Sequence, residues 1–384
     1  MILSPLIDAN SIEILFAGDF IPPAHGGPIF SESLLKVLKN KDFSVVNLEC
    51  PLTTANHKIF KIGNNFKTLP NSIRHITSGG FNAVSLSNNH IRDFHDQGVL
   101  DTINVCQKHK ILTVGAGPNI QSASTPLTIK LKGKSIAFLN YSEKEFNAAT
   151  PDRAGANPFD LIEAFYQIRS EKAHNDYVVV LYHGGCEYHY LPMPEIIRRF
   201  KFLVDAGADC IVSHHTHRLS GVIKYNQRPL FFGLGNFLTP TKTKANDSWL
   251  TGVLVKIVIN YNAIRHELIP IKMSKDFSFV DDIKAEERQN VIKFIDDLSE
   301  KINNTEFLHN YWNKACLTYT NSLTNVLSSD SLLEYRFRKR IPAILKRGLP
   351  RYRLLNVLNL IRCDAHRDMA IRIMEGKYQK LKGK

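Results

Sequence analysis

The stretch "IVSHHTHRLSGV", residues 211–222, sets three imidazoles, His214, His215 and His217, directly after an apolar run. The run into it, "CIVSHH" (210–215), has the apolar character of a strand buried on both faces. In an extended segment residues i and i+2 project to the same side. His215 and His217 are therefore expected to point together, at one metal ion or a neighbouring pair, while His214 and Thr216 face away. A lone histidine at a strand end is ordinarily a hydrogen-bonded polar residue. A His-x-His pair becomes a ligand pattern when other donors converge on it.

Other donors do collect in the same way. The candidate strand "IEILFAG" (12–18) runs into Asp19, and "SVVNLE" (44–49) ends in Glu49. "NAVSLS" (82–87) is followed by Asn88, Asn89 and His90, and "YVVVLYH" (177–183) ends in His183. Further strands are expected at 135–141, 229–235 and 250–259, with helical patterns near 93–109, 158–174 and 194–206. This alternation predicts an α/β (α+β layered) domain reaching to about residue 275. In open α/β sheets ligands sit in the crevice outside the strand carboxyl ends. Two carboxylates, a carboxamide and several imidazoles make a set of O and N donors suited to Mn, Fe or Zn, without the thiolates of a structural zinc site. Each residue alone has a plainer role: Asp19 as a turn cap, Glu49 as a surface acid, Asp93 or Asp96 as the N-cap of the following helix. His25, His95 and His189 are expected in solvent or behind the site, and Cys186 as a small neutral residue.

Length and charge bound the rest. The 384 residues allow one large domain and an appendage. Beyond 275 the strand signal stops, and three amphipathic helical stretches follow, around 281–302, 329–346 and 353–375, with Pro342 and Pro350 as breaks. The expected division is a domain at 1–275 and a helical, basic extension at 276–384. Of the net charge of +13, most resides in residues 331–384, which hold 15 Lys/Arg against 4 Asp/Glu. The nearly neutral body and the lack of a nucleic-acid motif argue against sequence-specific nucleic-acid binding. The six cysteines are scattered, as reduced thiols are. No apolar run reaches the ~20 residues of a membrane span, and the first residues lack the pattern of a signal peptide, so a cytoplasmic location is expected. The tail interleaves Arg and Lys with Leu, Ile, Phe and Tyr. Its expected roles are packing on the body or peripheral docking at an anionic inner-membrane surface or an acidic polymer.

Eight motifs occur in order: "FAGD" (16–19), "VVNLECPLT" (45–53), "FKTLP" (66–70), "GFNAVSLSNNHIRD" (80–93), "VGAG" (114–117), "LYHGGCEYHYLP" (181–192), "AGADCIVSHHTH" (206–217) and "GLGNF" (233–237). Together they resemble the bacterial capsule-synthesis protein CapA family, also called poly-γ-glutamate-synthesis proteins, within the calcineurin-like metallophosphoesterase superfamily. The resemblance spans about residues 12–240. It implies a β-sandwich flanked by helices, with a two-metal site at the strand ends. By resemblance Asp19 is the first-strand ligand, and Glu49 takes the place of the carboxylate that bridges the metals. Asn89 is the carboxamide ligand, His183 the next ligand, and His215 and His217 the pair shared between two ions. His90 is the imidazole that steadies the transition state or protonates the leaving group.

Three positions depart from the general pattern. Ile21 stands where phosphoesterases carry a His, Glu49 where they carry an Asp, and Gly184 where the family tends to carry Trp. Glu187 is expected either to orient His183 or to act as an acid/base. Lys67 of "FKTLP" and Asn236 of "GLGNF" are candidate substrate-binding groups. The expected activity is metal-assisted hydrolysis, with one or two divalent ions, of a phosphoester or of an amide in an anionic polymer, within capsule or exopolymer metabolism. The alternative is a non-catalytic accessory factor that binds metal and polymer in capsule assembly.

Overall fold

Val178, Val180 and Tyr182 face one way along their strand and Val179 and Leu181 the other, and both faces are buried. The same alternation separates Leu15 and Ala17 from Ile14 and Phe16. Strands apolar on both faces must lie between two layers, and each fully buried Val, Leu or Phe contributes about 1.5–3 kcal/mol. The computed structural model describes residues 11–24, 26–240, 246–260, 263–327 and 355–382.

In chain order the strands are β1 (Ile12–Phe20), β2 (Phe43–Leu48), β3 (Ala83–Ser85), β4 (Leu112–Val114), β5 (Ala116–Gly117) and β6 (Leu127–Leu131). Next come β7 (Lys134–Ser142), β8 (Gly155–Ala156), β9 (Tyr177–His183), β10 (Cys210–His214), β11 (Val222–Tyr225) and β12 (Arg228–Phe231). Then follow β13 (Asn236–Leu238), β14 (Thr251–Asn260), β15 (Ala263–Met273) and β16 (Val280–Asp282). One sheet has the order β16-β15-β14-β1-β2-β3-β4, with β13 paired to β1, and the other the order β11-β12-β10-β9-β7-β6. The strands that carry the candidate ligands run parallel to their neighbours: β1 with β2, β2 with β3, and β9 with β10. Their carboxyl ends therefore share one edge of each sheet.

Three apolar layers hold the sandwich together. Between the sheets lie Ile14, Phe16, Val45, Phe138, Val179, Leu181, Val212 and Val255. Outside the first sheet pack the helices Glu32–Lys39, Ile73–Ser78 and His95–Lys108, through residues such as Leu34, Leu38, Ile76 and Val99. Outside the second pack Leu161–His174 and Pro194–Ala206, through Ala164, Ile168, Phe200 and Leu203. This is a β-sandwich flanked by helices. Asp160 caps the helix it precedes by accepting from the backbone N–H groups of Ile162 and Glu163.

The strand pattern does not end at 275, since Val280–Asp282 forms a three-residue edge strand beside β15. A helix at Thr305–Leu327 follows Ala285–Asn303 and was not expected, because its sequence mixes Asn, Thr and Tyr with the apolar residues. Trp312 and Cys316 from it, and Cys363, Ala365, Ala370 and Ile373 near the C-terminus, bury against the second sheet's helical layer. The expected helix at 329–346 lies outside the described residues, as do His25 and residues 331–354 of the basic tail. All six cysteines are buried, and none is in a disulfide among the described residues. No described helix is long and apolar enough to cross a membrane.

Candidate metal centre

Asp19 ends β1 and Glu49 follows β2, so the parallel pairing of these strands sets their two carboxylates side by side, both about 1% exposed. Asn47, one residue inside β2, donates its amide N–H to Asp19 Oδ1 at 2.7 Å and lies 3.2 Å from His183 Nδ1. From the second sheet, His183 Nε2 lies 3.1 Å from Asn89 Oδ1, 3.5 Å from Glu49 Oε1 and 3.1 Å from His215 Nδ1. His217 Nδ1 lies 3.2 Å from Asp19 Oδ2, and its Nε2 lies 3.7 Å from Glu49 Oε1. Asp19, Glu49, Asn89, His183, His215 and His217 thus converge, although they come from five separate segments of the chain.

The His-x-His pair converges for a different reason from the one its spacing suggests. β10 stops at His214, and His215 and His217 both adopt left-handed backbone, with φ of 92° and 54°. A turn, rather than the pleat of a strand, aims both rings at Glu49. Left-handed backbone costs about 1–2 kcal/mol per non-glycine residue. The backbone N–H of His215 donates to Asp19 Oδ2 at 3.2 Å, which ties the turn to the cluster. His214 faces away, as expected, with Nε2 3.2 Å from the Ala17 carbonyl.

The donor set fits a divalent cation. Two trios, Asp19–Glu49–His217 and Glu49–His183–His215, each hold their ligand atoms within 4.8 Å of one another, and Glu49 belongs to both. Both oxygens of Glu49 are buried without a hydrogen-bond partner among the described residues. A buried carboxylate left so costs several kcal/mol unless a cation meets it. Burial, reinforced by Asp19, raises the Glu49 carboxyl well above its usual range. Burial also disfavours charge on His217, but Glu49 and Asp19 outweigh it and push that imidazole up to about 10. Asp19 is held below the usual carboxylate range: burial opposes this, and the His217 hydrogen bond and charge prevail. Without a metal, a proton on His217 is the cation the carboxylates have.

His90 stands beside the cluster with Nδ1 2.7 Å from Asp93 Oδ2. Asp93 has no exposed side-chain surface, ion-pairs with Lys61 and accepts from the Phe66 backbone N–H at 2.7 Å. It does not cap the next helix. That N-cap is Phe94, without a side-chain cap bond, and Asp96 pairs with Arg92 instead. Burial first, then the Lys61 charge, lowers the His90 pKa against the pull of Asp93. Phe66 packs edge-on against the ring at 4.6 Å.

A cavity of about 520 Å³ opens over the cluster, lined by Glu49, Asn89, His90, Glu187, His215 and His217 with Lys61, Tyr188, Trp249, Asn359 and His366. Glu187 does not reach His183, whose Nδ1 faces Asn47. Burial would raise the Glu187 carboxyl, but His215, His217, His90 and His366 together hold it low. Lys67 lies outside this lining and donates to the Ala55 carbonyl and to Asn56 Oδ1, so the cation in the cleft is Lys61. Asn236 is turned inward: its Oδ1 lies 2.9 Å from His217 Nδ1 and its amide donates to the Trp249 carbonyl, so it orients a ligand rather than meeting solvent. Ile21 is buried in the apolar layer. Asn47, Lys61 and Asp93 carried one usable sequence signal between them, a lone amide inside the otherwise apolar strand "FSVVNL".

Comparison with known proteins identifies the family. The family described as bacterial capsule synthesis protein PGA_cap matches residues 13–241. The capsule biosynthesis protein CapA of Bacillus anthracis is 31% identical over 210 residues, covering 52% of this chain and 51% of that protein. The PGA biosynthesis protein CapA of Bacillus subtilis (strain 168) is 32% identical over 243 residues, covering 61% of this chain and 62% of that one. A probable polyglutamine synthesis accessory protein of Mycobacterium tuberculosis is 27% identical over 219 residues, covering 53% and 57%. The chain therefore spans between about half and three-fifths of the length of these curated relatives. Among solved structures, a hypothetical protein from Thermus thermophilus matches 67% of this chain and 99% of that one, with 14% identity and a TM-score of 0.41. The matched segment 13–241 holds all six converging side chains, and the chain belongs to the family of bacterial capsule synthesis proteins.

Proposed function

We propose that this protein is a metal-dependent hydrolase of an anionic, capsule-type polymer, cutting an amide or a phosphoester bond at the Glu49 cluster. The observation that carries the reading is the pair of buried, unpartnered Glu49 oxygens facing three imidazoles on the floor of a 520 Å³ cleft. The polymer class is inferred from the printed names of the relatives, which speak of capsule, PGA and polyglutamine synthesis.

Asp19, Glu49, Asn89, His183, His215 and His217 would hold the ion or ions. When bound, a divalent cation supplies Lewis acidity and acidifies water. The chain's own contribution centres on His90. Donation of Nδ1–H to Asp93 fixes the tautomer and leaves Nε2 as the proton acceptor on the cleft side. Nε2 takes a proton as water is consumed and returns it to the leaving group, a role that contributes typically about 10²–10⁴-fold in rate. Lys61 anchors Asp93 and lies 3.3 Å from the Asn89 carbonyl, which keeps His90 and Asn89 in register. Trp249, 5.0 Å from the His217 ring, and Tyr188 wall the cleft and limit water.

One observation favours a second reading, an accessory factor that binds without turnover. Ile21 removes a donor that phosphoesterases carry, and the mycobacterial relative is named an accessory protein. The test is incubation of the Mn²⁺-loaded full chain with short γ-glutamyl oligomers and a chromogenic phosphodiester, beside His90→Ala. Cleavage that falls about 100-fold or more in His90→Ala, with Mn²⁺ still bound, supports the hydrolase. Cleavage of neither substrate by metal-loaded protein leaves the accessory reading standing.

A further inference from the structure

A second cavity, of about 320 Å³, adjoins the cleft over the cluster, and Glu145 lines both. Four cationic side chains line it, Arg92, Lys144, Arg153 and Arg362, against the single carboxylate of Glu145. Two of them are neutralised nearby: Arg92 pairs with Asp96 at 2.8 Å and Lys144 with Asp160 at 3.2 Å. The other two are not. Among the described residues Arg153 donates only to the Ala148 carbonyl at 2.8 Å, and its Nε is buried without an acceptor. Arg362, again among the described residues, donates only to the Glu145 carbonyl, at a long 3.4 Å. Guanidinium groups gathered in a concave site, with donors to spare, match the planar, bidentate geometry of a carboxylate or phosphate.

Arg362 comes from outside the family-matched segment, and its position is built rather than incidental. Glu143, 3% exposed, accepts from Cys363 Sγ at 2.9 Å and the Ala365 N–H at 3.2 Å through Oε2. Its Oε1 accepts from Tyr182 O–H at 2.9 Å and Gly185 N–H at 3.2 Å. Arg199 with Asp368 and Arg372 with Glu195 add two ion pairs, at 2.6 and 2.7 Å. These contacts lock the C-terminal helical segment against Glu143, just past β7, and against the helix Pro194–Ala206, and Glu143 in turn binds Tyr182 of β9.

We propose that the cavity of Arg92, Lys144, Arg153 and Arg362 is a second substrate subsite, which holds an oxyanion of an acidic chain whose scissile bond lies at the Glu49 cluster, and that the C-terminal helices complete it. The proposal rests on the anionic-polymer reading above. A one-site anion would meet only the cluster; a chain of repeating anionic groups spans both cavities.

Calorimetric titration of the Mn²⁺-loaded full chain tests it, with a short γ-glutamyl oligomer, free glutamate and inorganic tripolyphosphate as probes, beside Arg362→Gln and the pair Arg362→Gln/Lys144→Gln. Arg362 is exposed and the Lys144 side chain is 40% so, and unchanged thermal unfolding and Mn²⁺ binding are the controls. The expected result is that the oligomer binds more tightly than free glutamate and loses about tenfold in affinity in Arg362→Gln, more in the pair. Arg362-dependent binding of tripolyphosphate without oligomer binding would uphold the oxyanion subsite and overturn the polyamide form of the substrate reading. Equal affinities of the unaltered chain and both variants for every probe, or no binding at all, would overturn the subsite.

Discussion

A Cβ added at Gly184 would sit 2.6 Å from Cγ of Glu143. The glycine at this position is thereby accounted for: the Glu143 side chain occupies the space. Since Glu143 also holds Cys363 and Ala365, the missing side chain and the C-terminal helices are parts of one arrangement. Gly184→Ala is expected to destabilise by about 1–3 kcal/mol through overpacking, and Gly184→Trp by more. Both should speed limited proteolysis near residues 355–382. A Gly184→Trp protein as stable and as protease-resistant as the parent would contradict this.

Glu49→Gln separates stability from metal binding. In the chelator-treated protein, removing a buried carboxylate that has no hydrogen-bond partner should stabilise, by about 1–3 kcal/mol. The parent should gain about 2.7 kcal/mol when Mn²⁺ is present at a hundred times its dissociation constant, and Glu49→Gln should gain almost none. Thermal unfolding with and without Mn²⁺ reads both effects. A variant less stable than the parent in the metal-free state would mean that the attraction of protonated His217 outweighs the cost of burying Glu49.

Lys61 and Asp93 form an ion pair with side chains 4% and 0% exposed. Asp93→Asn leaves a buried ammonium uncompensated and is expected to cost about 3–5 kcal/mol, with much of the loss recovered in Lys61→Met/Asp93→Asn. The double variant keeps the fold but not the His90 anchor, so its turnover should remain low. Urea unfolding of the parent, the single variants Lys61→Met and Asp93→Asn, and the double variant gives the coupling energy, and additive losses would contradict the pairing.

Asp176, at the start of β9, accepts from Ser135 N–H at 2.8 Å and from Lys134 Nζ at 3.0 Å. The Ser135 backbone bond first, then Lys134, lowers its carboxyl to about 2. A carboxyl lowered on folding adds stability that is complete above its unfolded pKa of about 3.9 and is lost as pH falls through the folded value. Asp176→Asn should therefore lower the denaturation midpoint near neutral pH, and the gap should close between about pH 4 and pH 2. A gap that is constant over that range would contradict the assignment.

The convergence of the candidate ligands was legible because β1, β2, β9 and β10 are apolar on both faces and carry a carboxylate or an imidazole at or beside their ends. Parallel pairing does the rest, bringing distant strand ends to one edge. The geometry of His215 and His217 was not legible: spacing suggests a pleat, whereas positive φ at both residues makes a turn. Asp93 looked like a helix cap because caps are local, and its partners Lys61 and Phe66 lie 27 to 32 residues away. Glu143 and His366 had no sequence signal at all, and Arg362 was legible only as one of the basic residues of the tail. Their positions come from a helical segment folding back on the end of β7, a contact between residues 220 positions apart in the case of Glu143 and Cys363.

The most direct test of the metal centre is a calorimetric titration of Mn²⁺ into the chelator-treated full chain, run beside Glu49→Gln. Since Glu49 belongs to both ligand trios, specific binding to the parent should weaken by about 100-fold or more in the variant. Equal binding by the two proteins, or no specific binding of Mn²⁺, Fe²⁺ or Zn²⁺ to the parent, would contradict the account.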